Sequence, residues 1–413
     1  MAELQLDMIQ TAGVGALALV LGMWMTRRIT FLQKFCVPSP VSGGILFSLL
    51  TLALYLLTDV EVSFDGTLKD VFMLAFFTSV GFQSDLKVLK QGGRLLVLLV
   101  VLLVVIIFMQ NAIPLAIAKA LDINPLIGLA AGSISMTGGH GTAGGFASVL
   151  EDMGLSGGGT IAMAAATFGL IAGSMIGGPL AERIVSRKLT VKQVEADTDP
   201  AMSGLESDEA SPHGREERLS TNEHEFQNYA KATYTIILVM AGGTLLSWML
   251  KQTGVTFPTY FGSLLLGAIA RNVMGLSKDM EKHLDMDRIV SVGNICLSMF
   301  LGMAMISLKL WELQSLALPL VLMLFSQIAL IALFSYFVAF RVLGKDYDAA
   351  VLVAGICGFG LGATPNAMAN MSAVCYKYRY TVKPFLIVPI VGGMFNDLAN
   401  AGIITMFLNF LGG

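Results

Sequence analysis

The stretch Gly132-Ser-Ile-Ser-Met-Thr-Gly-Gly-His-Gly-Thr142 has a counterpart, Gly355-Ile-Cys-Gly-Phe-Gly-Leu-Gly-Ala-Thr-Pro365, about 220 residues further along an apolar chain. Each interior glycine costs a helix roughly 1 kcal/mol against alanine, so neither stretch favours continuous helix. In a membrane, broken helix persists only where protein or a water-filled cavity satisfies the freed N–H and C=O groups. Two such breaks at corresponding places in two halves of a chain point to the binding site of a carrier.

The composition supports a membrane setting. Of 413 residues, 55% are hydrophobic and 13% charged, against about 25% charged in soluble domains. Runs such as Leu95 to Ile117 reach the roughly 20 apolar residues of a spanning helix and are apolar on every face, which excludes an outer-membrane barrel. The net charge of -3 comes without a basic patch, so no nucleic-acid partner is implied. Cys36, Cys296, Cys357 and Cys375 lack metal-ligand spacing and read as small packing residues. The first apolar segment has Glu3 and Asp7 before it and Arg27 and Arg28 after it, the reverse of a secretory signal. It reads as a retained span with its N-terminus outside.

Apolar runs fall near 8–26, 41–57, 68–84, 95–118, 126–150 and 160–181, then near 229–250, 258–275, 289–308, 315–340, 348–374 and 384–411. If all twelve crossed the membrane, Lys and Arg would scatter over both sides. If the runs at 126–150 and 348–374 instead dip in and return, most bases become cytoplasmic, among them Arg27, Lys87, Arg183, Arg271, Lys278, Arg341 and Lys377. The positive-inside rule therefore favours about ten spans plus two re-entrant hairpins, with both termini extracytoplasmic. The expected organisation is a membrane repeat at 1–181, a polar cytoplasmic connector at 182–228 and a second membrane repeat at 229–413. Val37-Pro-Ser-Pro-Val-Ser-Gly-Gly44 and Phe257-Pro-Thr-Tyr-Phe-Gly262 open matching spans, and a glycine-rich hairpin follows each proline by about 95 residues. Five spans and a connector invert one half relative to the other, so the hairpins enter from opposite faces. The class expected is an all-α polytopic membrane protein of two inverted repeats.

Hairpin tips near mid-membrane carry helix ends, and a helix N-terminus suits a carboxylate. Candidate substrate contacts are Ser135, Thr137, Gly138, Gly139, His140, Gly141 and Thr142 at the first tip. At the second they are Gly360, Gly362, Ala363, Thr364 and Asn366, with Pro365 suited to a first helical turn. Close helix packing by small residues is the competing reading of these glycines. Gln110 reads as a further substrate contact or as interhelical glue. Asp397 lies inside the final span, where a carboxylate marks an ion or proton path or else a structural hydrogen bond. Asn396 and Asn400 add neutral oxygens suited to a hard cation, and Asn294 joins them as a candidate ligand or as glue. His140 has three open roles: substrate contact, proton carrier, or hydrogen bond to the hairpin backbone. Within the spans, Lys and Arg stand only near the ends and none at membrane depth, so anion recognition would rest on amides, hydroxyls and a co-bound cation.

Several strings resemble the bacterial sodium/glutamate symporter family: Ser-Gly-Gly (42–44), Met-Leu-Ala-Phe-Phe (73–77), Gly-Gly-His-Gly-Thr (138–142), Lys-Leu-Trp-Glu-Leu (309–313), Asp-Tyr-Asp-Ala-Ala-Val (346–351) and Gly-Phe-Gly-Leu-Gly-Ala-Thr-Pro (358–365). The likeness runs from about Gly22 to Phe407 and spares the connector. It implies L-glutamate as substrate, Na+ as co-transported ion without an organic cofactor, an elevator-type carrier and a bacterial inner-membrane location. A homodimer embedded in lipid is expected with it. Another sodium-coupled carboxylate carrier, such as one for citrate, is the nearest alternative, and an ion channel a more distant one. An enzyme is not expected, because His140 and the nearby hydroxyls lack an acid partner.

Overall fold

A computed structural model describes residues 2–35, 37–87, 93–189, 217–254, 256–276 and 284–412. Helix starts follow local chemistry. The Asp7 carboxylate accepts from the Gln10 N–H at 2.8 Å while Gln10 Oε1 accepts from the Asp7 N–H at 3.0 Å, a capping box that opens α1 (Met8–Arg28). Then come α2 (Ser39–Thr58), α3 (Thr67–Phe82) and α4 (Gly93–Ala120). The first glycine-rich segment forms α5 (Pro125–Ala130) and α6 (Gly139–Asp152), and α7 (Gly158–Lys188) closes the half. The second half holds α8 (Glu217–Lys251), α9 (Phe261–Met274), α10 (Met286–Ile306) and α11 (Ala317–Phe334), the last continuing through a π-helical turn. Its glycine-rich segment forms α12 (Tyr347–Gly360) and α13 (Thr364–Lys377). The chain ends in α14 (Lys383–Ile390), a π-helical turn at Val391–Phe395, and α15 (Asn396–Gly412).

The protein is a polytopic, all-α membrane protein. Among the described residues, seven helices are long and apolar enough to cross a membrane, or eight if the final bent segment counts as one span. The remaining two expected spans are α3 and α9, with 16 and 14 residues. The expected connector at 182–228 lies largely outside the described residues, and α7 and α8 extend into its edges. One element departs from the all-helical expectation: β1 (Ala2–Leu6) pairs in parallel with β2 (Val60–Phe64). Five-residue strands leave too short an alternation to stand out beside long apolar runs.

The helices gather into two bundles. One packs α1, α2 and α3 against α8, α9 and α10, the first three spans of each half. The other holds α4 to α7 with α11 to α15, including both glycine-rich segments. Between the bundles, α6 touches α10, the π turn at Val391–Phe395 touches α3, and α15 touches α9. Within the first bundle α1 and α2 cross backbone to backbone: a Cβ on Gly43 would sit 1.8 Å from the Ala18 carbonyl oxygen. Helices α8 and α9 cross in the same manner, where a Cβ on Gly262 would meet the Gly243 carbonyl oxygen at 2.3 Å.

Each glycine-rich segment returns to the end it starts from. Asn124 to Leu126 share a surface recess with Met153, and Leu411 lines it too. At the other segment Tyr347 donates to the Arg379 carbonyl at 2.5 Å, and Thr381 donates to Asp348. Asp348 also faces Lys383 at 3.5 Å. The run from Lys383 to Leu411 thus starts beside Asp348 of the second segment and ends in the recess lined by Asn124 and Met153 of the first.

Replacing Gly43 by alanine should lower thermal stability by about 1–3 kcal/mol, because backbone has to move. Gly13, with nothing within 4 Å of its Cβ position, should tolerate alanine. Melting curves of the purified variants measure both.

Candidate functional site

The backbone of the first hairpin leaves helical form after Ala130 and turns through 131–138, held by Met136 N–H to Gly132 O at 3.0 Å and Gly138 N–H to Ser133 O at 2.9 Å. Helix resumes at Gly139, whose φ of +58° suits glycine, and whose Cβ would lie 2.7 Å from the Gly362 carbonyl oxygen. The two breaks therefore touch. At the second, Ala363 is extended (φ -160°, ψ 164°) and Pro365 sits in the first turn of α13. No side chain caps either α6 or α13. Both helix N-termini open on one cavity of about 420 Å³.

Thr137, Gly138, Gly139, His140, Gly141 and Thr142 line that cavity from the first break, and Gly362, Ala363 and Thr364 from the second. Asn294, Asn396 and Asp397 complete the expected set that reaches it. Ser135, Gln110, Gly360, Asn366 and Asn400 lie outside the lining. Their polar groups hold the breaks in shape. Ser135 donates to backbone, to the Ala130 carbonyl and to the Ala162 carbonyl at 2.7 Å. Gln110 Nε2 donates to the Gly360 carbonyl at 2.6 Å while its Oε1 accepts from Thr137 Oγ1 at 2.5 Å, so one amide ties both breaks to α4. Gln327 of α11 donates to the Gln110 carbonyl at 2.8 Å and to the Ala131 carbonyl at 3.4 Å. Asn366 Nδ2 donates to the Leu170 carbonyl at 2.9 Å.

His140 Nε2 lies 2.9 Å from Thr167 Oγ1, which itself donates to the Met163 carbonyl at 3.0 Å. With its proton committed, Thr167 accepts from an Nε2–H, which fixes the tautomer if the ring is neutral. The partner is a side chain of α7 rather than hairpin backbone.

The amides of α15 are spent in part. Asn396 Nδ2 donates to the Thr137 carbonyl and Asn400 Nδ2 to the Ser133 carbonyl, each at 3.1 Å. The side-chain oxygens of both, and of Asn366, are buried without a partner. An unpaired buried acceptor costs about 1–3 kcal/mol unless something fills it. Asn396 Nδ2 also faces Asp397 Oδ1 at 3.4 Å, and neutral oxygens together with a carboxylate are donors of the kind a hard monovalent cation takes. Among the described residues, no Lys or Arg lines the cavity.

Several lining residues escaped the sequence. Gly392 and Gly393 come from the π turn, and a Cβ on Gly392 would lie 2.5 Å from Thr364 Oγ1. Such a turn changes the helical register in a way periodicity does not reveal. Phe76, Phe77, Gln83 and Ser298 arrive from α3 and α10. The string Met-Leu-Ala-Phe-Phe (73–77) held Phe76 and Phe77 without indicating what they face.

Comparison with known proteins gives a consistent match. The sodium/glutamate symporter family model matches residues 4–380. The sodium/glutamate symporter of Escherichia coli K12 is 39% identical over 412 residues, 98% of each chain. That of Haemophilus influenzae Rd is 38% identical over 396 residues, 96% of this chain and 95% of the other. A solved sodium proton antiporter from Methanocaldococcus jannaschii aligns over 98% of this chain and 95% of its own, at 15% identity and a TM-score of 0.40.

Gln110→Leu should cost about 1–3 kcal/mol by stranding Thr137 and the Gly360 carbonyl. Thermal unfolding in detergent measures this, and a melting point equal to that of the wild type would remove Gln110 from its bracing role.

Proposed function

The chain belongs to the sodium/glutamate symporter family, and on that premise we propose that it moves L-glutamate into a bacterial cell across the inner membrane, driven by the Na+ gradient, through alternating access. One observation carries the reading: two uncapped helix N-termini, one from each half, open on a single cavity that no basic side chain lines among the described residues. Each presents unpaired N–H groups and about half a positive charge. Glutamate offers a carboxylate at each end, so the two termini match it end for end. The relatives' own description as glutamate symporters weighs against citrate and against a channel.

Charge explains the coupling. Glutamate brings a net negative charge to a site that already holds Asp397, and like charges in a poorly hydrated cavity repel strongly. A Na+ ion held by Asp397 and the unpartnered oxygens of Asn396 and Asn400 offsets one of those charges. Substrate and ion then stabilise each other. The Asn294 carboxamide, which lines the same cavity, is a further candidate ligand.

For alternating access, the bundle that holds both hairpins is the moving part and the bundle of α1, α2, α3, α8, α9 and α10 is the static scaffold. The matching glycine crossings in the two halves support a reading as inverted repeats. Between bundles, Gly144 packs on Phe300 and Gly145 on Tyr260, and few hydrogen bonds among the described residues, such as that of Thr256 N–H to Asn409 Oδ1, cross, which suits an elevator-type displacement. On the scaffold, Tyr234, Leu238, Leu245 and Trp248 of α8 expose an apolar face to lipid or to the second copy of a homodimer. The charge-based topology places the connector in the cytoplasm and both termini outside.

Uptake into proteoliposomes tests the proposal. An imposed Na+ gradient should drive L-glutamate accumulation, unlabelled citrate should not compete, and accumulation indifferent to Na+ would refute the coupling. Asp397→Asn should raise the Na+ concentration for half-activation about tenfold, equivalent to about 1.4 kcal/mol of coupling. Unchanged Na+ activation would reduce Asp397 to a structural residue.

A further inference from the structure

A second cavity of about 420 Å³ lies where α6 ends and α7 begins. Four charged side chains line it: Lys69 from α3, Glu151 from α6, and Lys309 and Glu312 from the segment after α10. We propose that it is a vestibular binding site for the α-amino dicarboxylate substrate, occupied on the way between the outer medium and the central cavity. This inference rests on the reading of the central cavity as the transport site.

Alignment is the first argument. Helices α6 and α10 line both cavities. The central one takes Gly141 and Thr142 from α6 and Ser298 and Leu301 from α10. The second takes Gly144 and Ser148, then Ala304 and Ser307, the next turns of the same helices. Between them the fully buried Phe300 ring lies flush on α6: a Cβ on Gly144 would fall 2.5 Å from Phe300 Cζ and 2.8 Å from Met163 Cε.

The charge pattern is the second argument. Glu312 carboxylate oxygen would lie 2.3 Å from a Cβ at Gly157, and Glu151 accepts the Gly159 N–H at 3.4 Å, so both acids gather around the start of α7. They form an acidic wall suited to an ammonium group. Lys69, whose ion pair with Asp70 stretches to 3.9 Å, supplies the cation for a carboxylate. Lys309 is anchored to Glu61 at 2.7 Å, and that hydrogen bond pushes its pKa up and keeps it charged. A lone Na+ would meet two ammonium groups here, whereas a molecule carrying both signs finds a partner for each. The central cavity lacks a basic group and needs Na+ to hold an anion, but the vestibule has its own cations. Binding in the vestibule should therefore be independent of Na+.

Two measurements test this. In proteoliposomes with the protein in known orientation, Lys69→Gln and Glu312→Gln should each raise KM for glutamate roughly fivefold on the outer face and leave KM on the inner face unchanged. No shift, an equal shift on both faces, or a shift confined to the inner face would overturn the proposal. In a Ser148→Cys variant, modification by a membrane-impermeant thiol reagent should be slowed several-fold by L-glutamate in Na+-free medium, where the central site is empty. A rate indifferent to glutamate would overturn it independently of how the charge variants fold. Failure of the wild type to accumulate glutamate would refute the transport reading instead, so the two failures are distinguishable.

Discussion

Every backbone group at membrane depth has to find a partner, and the two interrupted helices satisfy that requirement through each other and through a few buried amides. Gln110 carries one break's carbonyl and the other break's hydroxyl on a single side chain. Gln327, in the second half, donates to the first break at Ala131. Asn396 and Asn400 hold two more carbonyls of the first break. Each half thus stabilises the irregular backbone of the other, which locks both breaks into one body and sets two helix N-termini over one cavity.

The same arrangement determines what the cavity accepts. Helix ends provide partial positive charge without a base that could bind an anion permanently, so affinity can depend on a co-bound cation. The amide nitrogens of Asn396 and Asn400 are committed to the hairpin, that of Asn396 also to Asp397 at 3.4 Å, which leaves their oxygens without a partner. On the proposed reading, structural bracing and ion binding use opposite ends of the same side chains, and loss of the ion would loosen the backbone that forms the substrate site.

Much of this was legible in the chain. Glycine density located the breaks, while the return of each segment to the membrane side it enters remains a proposal that Lys and Arg placement carries. Asp397 stood out because a carboxylate in an apolar run needs a reason. Distance in sequence concealed the rest. Gln327 sits in a run of Leu, Ile and Ala with no motif around it, and its partners lie in the other half of the chain. Ser135 and Thr137 look alike in sequence, yet one hydroxyl turns to backbone and the other to the Gln110 amide, a difference set by the turn between Ala130 and Gly139. The π turn at Val391–Phe395 and the short strands β1 and β2 carry too little periodicity to be read in advance. The vestibule is assembled from four separate segments, so no single stretch announces it.

The central claim is that glutamate and Na+ complete one site jointly. Equilibrium binding of L-glutamate to the purified protein over a range of Na+ concentrations tests it most directly, paired with Na+ binding with and without glutamate. The account predicts that Na+ tightens the central, Na+-linked glutamate binding by at least about tenfold and that glutamate tightens Na+ by the same factor. Glutamate affinity that is equal in the presence and absence of Na+ would contradict it.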